Sequence, residues 1–201
     1  LGSWTWLLGL DFGIRDATAY VIIGWREGSP VVYVAESWKE AGKPPSEVAE
    51  NVRELMKRYD FTRIVGDLGG MGKAFGEEMR RRYSIPIEPA EKTNKLGFVS
   101  LLNGAFEREE LLIVRPTNED LVKELTELPW ADETHQKESD GFDNHLTDAL
   151  LYAWRAASAY HEAPPPAPPT AQQALLDHEA RLMELAEEEE RERQERDWWQ
   201  A

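Results

Sequence analysis

The chain has no cysteine in 201 residues. Disulfides, zinc–thiolate centres and thiol nucleophiles are excluded, and the absence fits a reducing compartment. No apolar run approaches the roughly 18 residues of a membrane span, and no secretory signal pattern opens the chain. The expectation is a protein that is neither secreted nor embedded in a membrane. Positive charge is also scarce. Against 38 Asp and Glu stand 23 Lys and Arg, a net of −15. Residues 161–201 account for a net of −7 and the remainder for −8. Any nucleic-acid contact must therefore use a local basic patch and not a global field. This lowers the expectation of tight independent DNA binding, but not of chemistry on DNA delivered by another domain. Gly72-Lys73 does not make a Walker loop, because Asp67 stands where the first glycine belongs and Ala74 where Ser or Thr belongs.

What is present reads as an α/β domain. Trp6 to Asp11, Thr18 to Trp25 and Val31 to Ser37 are strands rich in Val, Ile and Tyr, joined by short Gly-containing turns. Such connections predict an antiparallel meander. The period then changes. Residues 45–59 read as a helix with Val48, Val52, Leu55 and Met56 on one face. Strands follow at 63–67, 85–88 and 111–114, with helices over 73–83, 96–109, 118–128 and 144–160. Antiparallel strands first and alternating units afterwards predict a mixed sheet flanked by helices. Residues 129–142 read as an irregular polar loop. Residues 161–170 hold a run of prolines and read as a stiff linker. Residues 171–201 read as an acidic, helical or partly disordered tail, with Leu175, Leu176, Leu182, Met183 and Leu185 as its apolar stripe.

Three aspartates stand in apolar surroundings. Asp11 ends Leu7-Leu8-Gly9-Leu10, Asp67 ends Ile64-Val65-Gly66, and Asp148 lies within the apolar helix pattern of Leu146 to Trp154. Separately, Asp11 could be a turn residue and Asp67 an acid near a helix N-terminus. Asp148 is harder to dismiss, since an ionised Asp facing a sheet is costly without a cation. Brought together, the three would repel unless cations sat among them. All-oxygen ligation suits Mg²⁺ or Mn²⁺. His145 lies three residues before Asp148 on the same helix face and is expected to orient the site, not to ligate. Asp143 reads either as the helix N-cap or as a further ligand.

These residues carry a resemblance. Leu10-Asp11-Phe12-Gly13, Gly66-Asp67-Leu68-Gly69-Gly70-Met71-Gly72-Lys73, Pro86-Ile87-Glu88-Pro89-Ala90-Glu91-Lys92 and Asp143-Asn144-His145-Leu146-Thr147-Asp148-Ala149-Leu150 are similar to motifs of the nuclease domain of tailed-phage large terminase subunits. The resemblance spans residues 6–160. It implies an RNase H-like fold, similar to the RuvC resolvases. It also implies a divalent-metal endonuclease that cuts concatemeric viral DNA during packaging in the host-cell cytoplasm. By position, Asp11, Asp67 and Asp148 would be its metal-binding and catalytic acids. Two ions are expected, with Asp11 bridging them and one of the other acids completing each shell. Implied partners are double-stranded DNA, an N-terminal packaging ATPase outside this chain, the portal and the small terminase subunit. The chain then reads as an isolated C-terminal nuclease domain.

DNA contacts are expected from Lys73, Lys92, Lys95 and Arg15, with Lys92 and Lys95 flanking Thr93-Asn94 in a loop that could hold phosphates. Arg80, Arg81 and Arg82 could instead form an ordinary solvated face. Three alternatives stand beside this reading. One is another RNase H-like nuclease of resolvase type. One is a catalytically idle docking module. The third is an actin- or Hsp70-like ATPase, which shares the first motif but needs a larger, two-domain core.

Overall fold

In the computed structural model, residues 3–13, 16–70, 72–129, 139 and 142–161 are described, with side chains to Ala157. Strand β1, Trp4–Asp11, is the organising element. Its side chains alternate between two cores, as a period of two requires. Leu7 enters a core shared with the last helix, while Leu8 and Leu10 enter a second core on the opposite face. Strand β2, Ala17–Arg26, pairs antiparallel with β1 and is buried over almost its whole length. Ala19, Val21 and Ile23 join the first core, and Tyr20 and Ile22 the second. Strand β3, Val32–Ala41, completes the expected meander.

Helix α1, Pro45–Arg58, opens with Pro at its first position, where no amide partner is needed. It buries Val48, Ala49, Val52 and Leu55. Met56, expected on that face, is 40% exposed. Met56 lies in the last turn of the helix, two turns beyond buried Ala49.

Strand β4, Phe61–Gly66, then runs parallel to β1, with Leu10 opposite Gly66. Helix α2, Gly72–Arg82, buries Phe75 and Met79 on the second core. Strand β5, Ile87–Pro89, adds to β4 in parallel. Helix α3, Lys95–Glu107, leads to strand β6, Leu111–Ile113, which pairs in parallel with β3. A 3-10 turn at Arg115–Thr117, not foreseen from the sequence, precedes helix α4, Glu119–Glu127. Helix α5, His145–His161, closes the fold. Among the described residues the sheet has six strands in the order β5-β4-β1-β2-β3-β6. It is a mixed sheet with helices on both faces, as expected.

Helix α5 ends one residue later than expected, at His161. The rest of the proline-rich linker and the whole acidic tail lie outside the described residues, as do Arg15 and most of the 129–142 loop.

The close seating of α5 on β1 sets the geometry of everything that follows. A Cβ placed at Gly9 would lie 2.1 Å from the Ala149 carbonyl oxygen and 2.9 Å from the Ala153 Cβ. Only glycine on the strand, opposite alanines on the helix, permits this approach. Gly9→Ala is expected to force the helix outward and cost about 1–3 kcal/mol, as overpacking typically does. Urea unfolding checks it. An unchanged midpoint would contradict the close approach.

Candidate functional site

Strands β1, β4 and β5 are parallel neighbours, so their C-terminal ends lie side by side. Ligand sites in open α/β sheets collect at such ends. The Asp67 amide continues the ladder to the Leu10 carbonyl at 3.2 Å, and the Ala90 amide reaches the Gly66 carbonyl at 2.8 Å. Asp11, Asp67 and the segment after Ala90 are thereby brought to one edge. Alternation fixes the face as well. Asp11 has the parity of Leu7 and Gly9, which point to α5. Arg63, of the same parity as Asp67, donates from Nη1 to the Ala156 carbonyl of α5 at 3.2 Å.

Helix α5 supplies the other half of the site. His145 Nδ1 lies 2.8 Å from Asp11 Oδ2. A carboxylate only accepts, so Nδ1 carries the hydrogen. Asp148 is one turn further along the same face. Its Oδ1 accepts from Lys95 Nζ at 2.6 Å. Asp67 Oδ2 accepts from Lys92 Nζ at 2.7 Å, and its Oδ1 accepts from the Gly69 amide at 2.9 Å. The side chains of Asp11, Asp67 and Asp148 are 14%, 25% and 16% exposed, so each carboxylate is largely shielded from water. Each is matched by one cation or potential cation. Among the described residues, no three His, Asp or Glu side chains stand as a ready coordination shell. Their oxygens are turned instead toward these nitrogens. The donor set, three carboxylates at one sheet edge, is nevertheless the set that hard divalent ions prefer.

The hydrogen bond to Asp11 raises the His145 pKa above its ordinary 6.5, and partial burial opposes this without cancelling it. Asp143, expected as the helix cap or a further ligand, turns its carboxylate to Lys39, while the α5 amides find another acceptor. It is 68% exposed and its Oδ2 pairs with Lys39 Nζ at 2.8 Å, which holds its carboxyl below the usual range. Asn144 precedes the helix, and the open amides of Leu146 and Thr147 donate to Glu124 Oε2 at 2.9 and 3.2 Å. Glu124 is 6% exposed and also accepts from Lys39 Nζ at 2.6 Å. A carboxylate from α4 thus caps α5 and meets the positive end of its dipole. No local sequence signal marks this cap, because it lies more than 20 positions away.

The cations divide. Lys92 and Lys95 turn inward to the acids. Lys73 is exposed at the start of α2. Arg80 donates to the Ile87 carbonyl at 2.9 and 2.7 Å and so ties α2 to β5. Arg82 pairs with Glu78 at 3.2 Å.

The model of the terminase RNase H-like domain matches residues 8–156. The chain belongs to that family. The large terminase subunit of Escherichia phage T5 is 28% identical over 152 residues, which cover 73% of this chain and 34% of that protein. The chain therefore spans about a third of the length of the curated relative it matches. The large terminase nuclease domain of bacteriophage SPP1, solved with bound Mn, superposes with a TM-score of 0.57 at 20% identity. The match covers 76% of this chain and 86% of that one. A large terminase nuclease from a thermophilic phage, solved with bound cobalt, gives 0.60 at 17% identity, covering 76% and 81%. At these identities the structures establish the fold of this terminase domain and no more.

A titration tests the electrostatics of the site. In the metal-free domain, His145 is expected to titrate above 6.5. A raised folded-state pKa stabilises fully below 6.5, and the benefit is lost as pH rises through the raised value. In Asp11→Asn the hydrogen-bonded anion is gone, and burial is opposed only by the weaker pull of Glu124 and Asp143, so the His145 value should fall. NMR of the ring protons reads both. A wild-type titration at or below 6.5 would contradict the pairing.

Proposed function

We propose that this terminase domain is a divalent-metal-dependent endodeoxyribonuclease that cuts concatemeric viral DNA during genome packaging, with little base specificity. The observation that carries the reading is the assembly of Asp11, Asp67 and Asp148 at one sheet edge. Three largely shielded carboxylates, two at parallel strand ends and one on the helix that His145 ties to Asp11, make the oxygen donor set that hard divalent ions prefer. Kinship to large terminases and the Mn and cobalt bound by related nuclease domains support it.

Asp11, Asp67 and Asp148 would hold two ions, Mg²⁺ or Mn²⁺. When bound, such ions activate water for attack on phosphorus and stabilise the leaving oxygen. The chain's own groups prepare the site. His145 fixes the Asp11 carboxylate through Nδ1. The Gly69 amide fixes Asp67. Glu124 anchors the first turn of α5, and with it the positions of His145 and Asp148. Asp143 remains a candidate to flank the site, and Lys73 to touch phosphate.

The acidic balance of the domain argues that DNA is brought to it. A packaging ATPase in the remaining part of the full-length subunit is the proposed supplier, with the portal and the small subunit as further partners in the host cytoplasm. Among the described residues no helix is long and apolar enough to cross a membrane.

Asp11→Asn is nearly isosteric and should fold. Its cleavage of supercoiled plasmid with Mg²⁺ or Mn²⁺ is expected to fall about 100-fold or more, equivalent to about 3 kcal/mol of transition-state stabilisation. Retained metal-dependent cutting by a folded Asp11→Asn protein would overturn the assignment. A wild-type domain that cuts no DNA with either ion would favour the docking-module reading instead.

A further inference from the structure

The turn between β5 and α3 is built to deliver two ammonium groups to two different acids. Lys92 reaches Asp67 at the end of β4, and Lys95 reaches Asp148 on α5. The two lysines are only three residues apart, and the chain between them is tightly specified. Glu91 Oε1 accepts from the Thr93 amide at 2.8 Å and the Thr93 hydroxyl at 2.7 Å. Asn94 sits in the left-handed region, at φ 51°, where asparagine is among the few tolerated side chains. Its carbonyl accepts the Phe98 amide and starts α3.

The same turn is anchored from below. Arg155, two helical turns beyond Asp148, is 8% exposed. Its guanidinium carbon lies 3.6 Å from the centre of the Phe98 ring, and Nη2 lies 3.8 Å from Glu91 Oε1. It thus contacts one residue just before Lys92 and one just after Lys95. Two unconstrained surface lysines would not both find the metal-binding acids. Here the backbone aims them.

We propose that Lys92 and Lys95 are the resident counter-cations of this site and compete directly with divalent ions for Asp67 and Asp148. This rests on the metal-site reading above and deepens it. In the metal-free domain the two ammonium groups, with His145, neutralise three clustered carboxylates and keep the site assembled. Ions entering the site must break both lysine contacts. The displaced side chains, 52% and 36% exposed, then project toward solvent at the mouth of the site. A phosphate backbone would meet them there. The lysines therefore set a threshold for metal loading and are freed for DNA by the same event.

The experiment is a calorimetric Mn²⁺ titration without DNA, paired with melting curves of the metal-free protein. It compares the wild-type chain, Lys92→Met/Lys95→Met, Lys73→Met and Asp11→Asn. Removing the two competing ammoniums should tighten Mn²⁺ binding about tenfold or more, the scale of a charge removed at contact range. The same double variant should melt lower than wild type without metal. Lys73→Met alters the charge near the same edge without freeing an acid, so it should move both readouts much less. Double-variant affinity equal to or weaker than wild type would overturn the exchange, as would a gain per lysine no larger than that of Lys73→Met. In either case, Mn²⁺ binding that is abolished in Asp11→Asn would leave the metal-site reading standing. No Mn²⁺ binding by the wild type or the double variant would sink both.

Discussion

The pairing of Asp11, Asp67 and Asp148 with His145, Lys92 and Lys95 is the interaction on which this end of the sheet depends. Largely shielded carboxylates favour a cation beside each of them. The protein meets the requirement with its own groups. His145 lies 2.8 Å from Asp11, Lys92 2.7 Å from Asp67 and Lys95 2.6 Å from Asp148. Ion pairs this close to the surface are each worth little for stability, roughly 0–1 kcal/mol. In the proposed reading they hold the acids in place for a stronger cation. Among the described residues no coordination shell stands ready-made, although the donor set suits hard divalent ions.

The rest of the fold serves that edge. Parallel pairing of β1, β4 and β5 puts three strand ends side by side, and alternation along β1 turns Asp11 toward α5. Gly9 lets α5 approach closely enough for its first turn to overhang the strand ends. Glu124, clamped by Lys39, receives the Leu146 and Thr147 amides and fixes where that turn begins. Arg155, from the same helix, fixes the lysine turn. One helix thus positions an acid, a histidine and, through Arg155, two lysines.

Much of this was legible in the sequence, for identifiable reasons. The meander and the later alternation showed because β-rich runs and helical periods are local patterns, and the pairing of short strands follows from short connections. The strand-end aspartates showed because a charge that ends an apolar run is conspicuous. What the sequence does not show has a shared cause, tertiary packing. Asp143 looked like a cap because Asp followed by a helix usually is one, but the α5 amides are taken by Glu124, whose relevance depends on tertiary packing. Met56 is exposed in the last turn of α1, and the local period does not show where along the helix the core ends. The sequence shows Lys92 and Lys95 as a pair suited to phosphate, but their contacts with Asp67 and Asp148 become visible only once β4, β5 and α5 are placed together. The gain from the structure is therefore in pairings, not in the list of residues.

The three acids are proposed to form one cation site with exchangeable occupants. Anomalous diffraction from crystals soaked with Mn²⁺ tests it most directly. The predicted result is anomalous density among the Asp11, Asp67 and Asp148 carboxylates, with the Lys92 and Lys95 side chains withdrawn from their acids. Density elsewhere, or density among the acids with both lysine contacts intact, would contradict it.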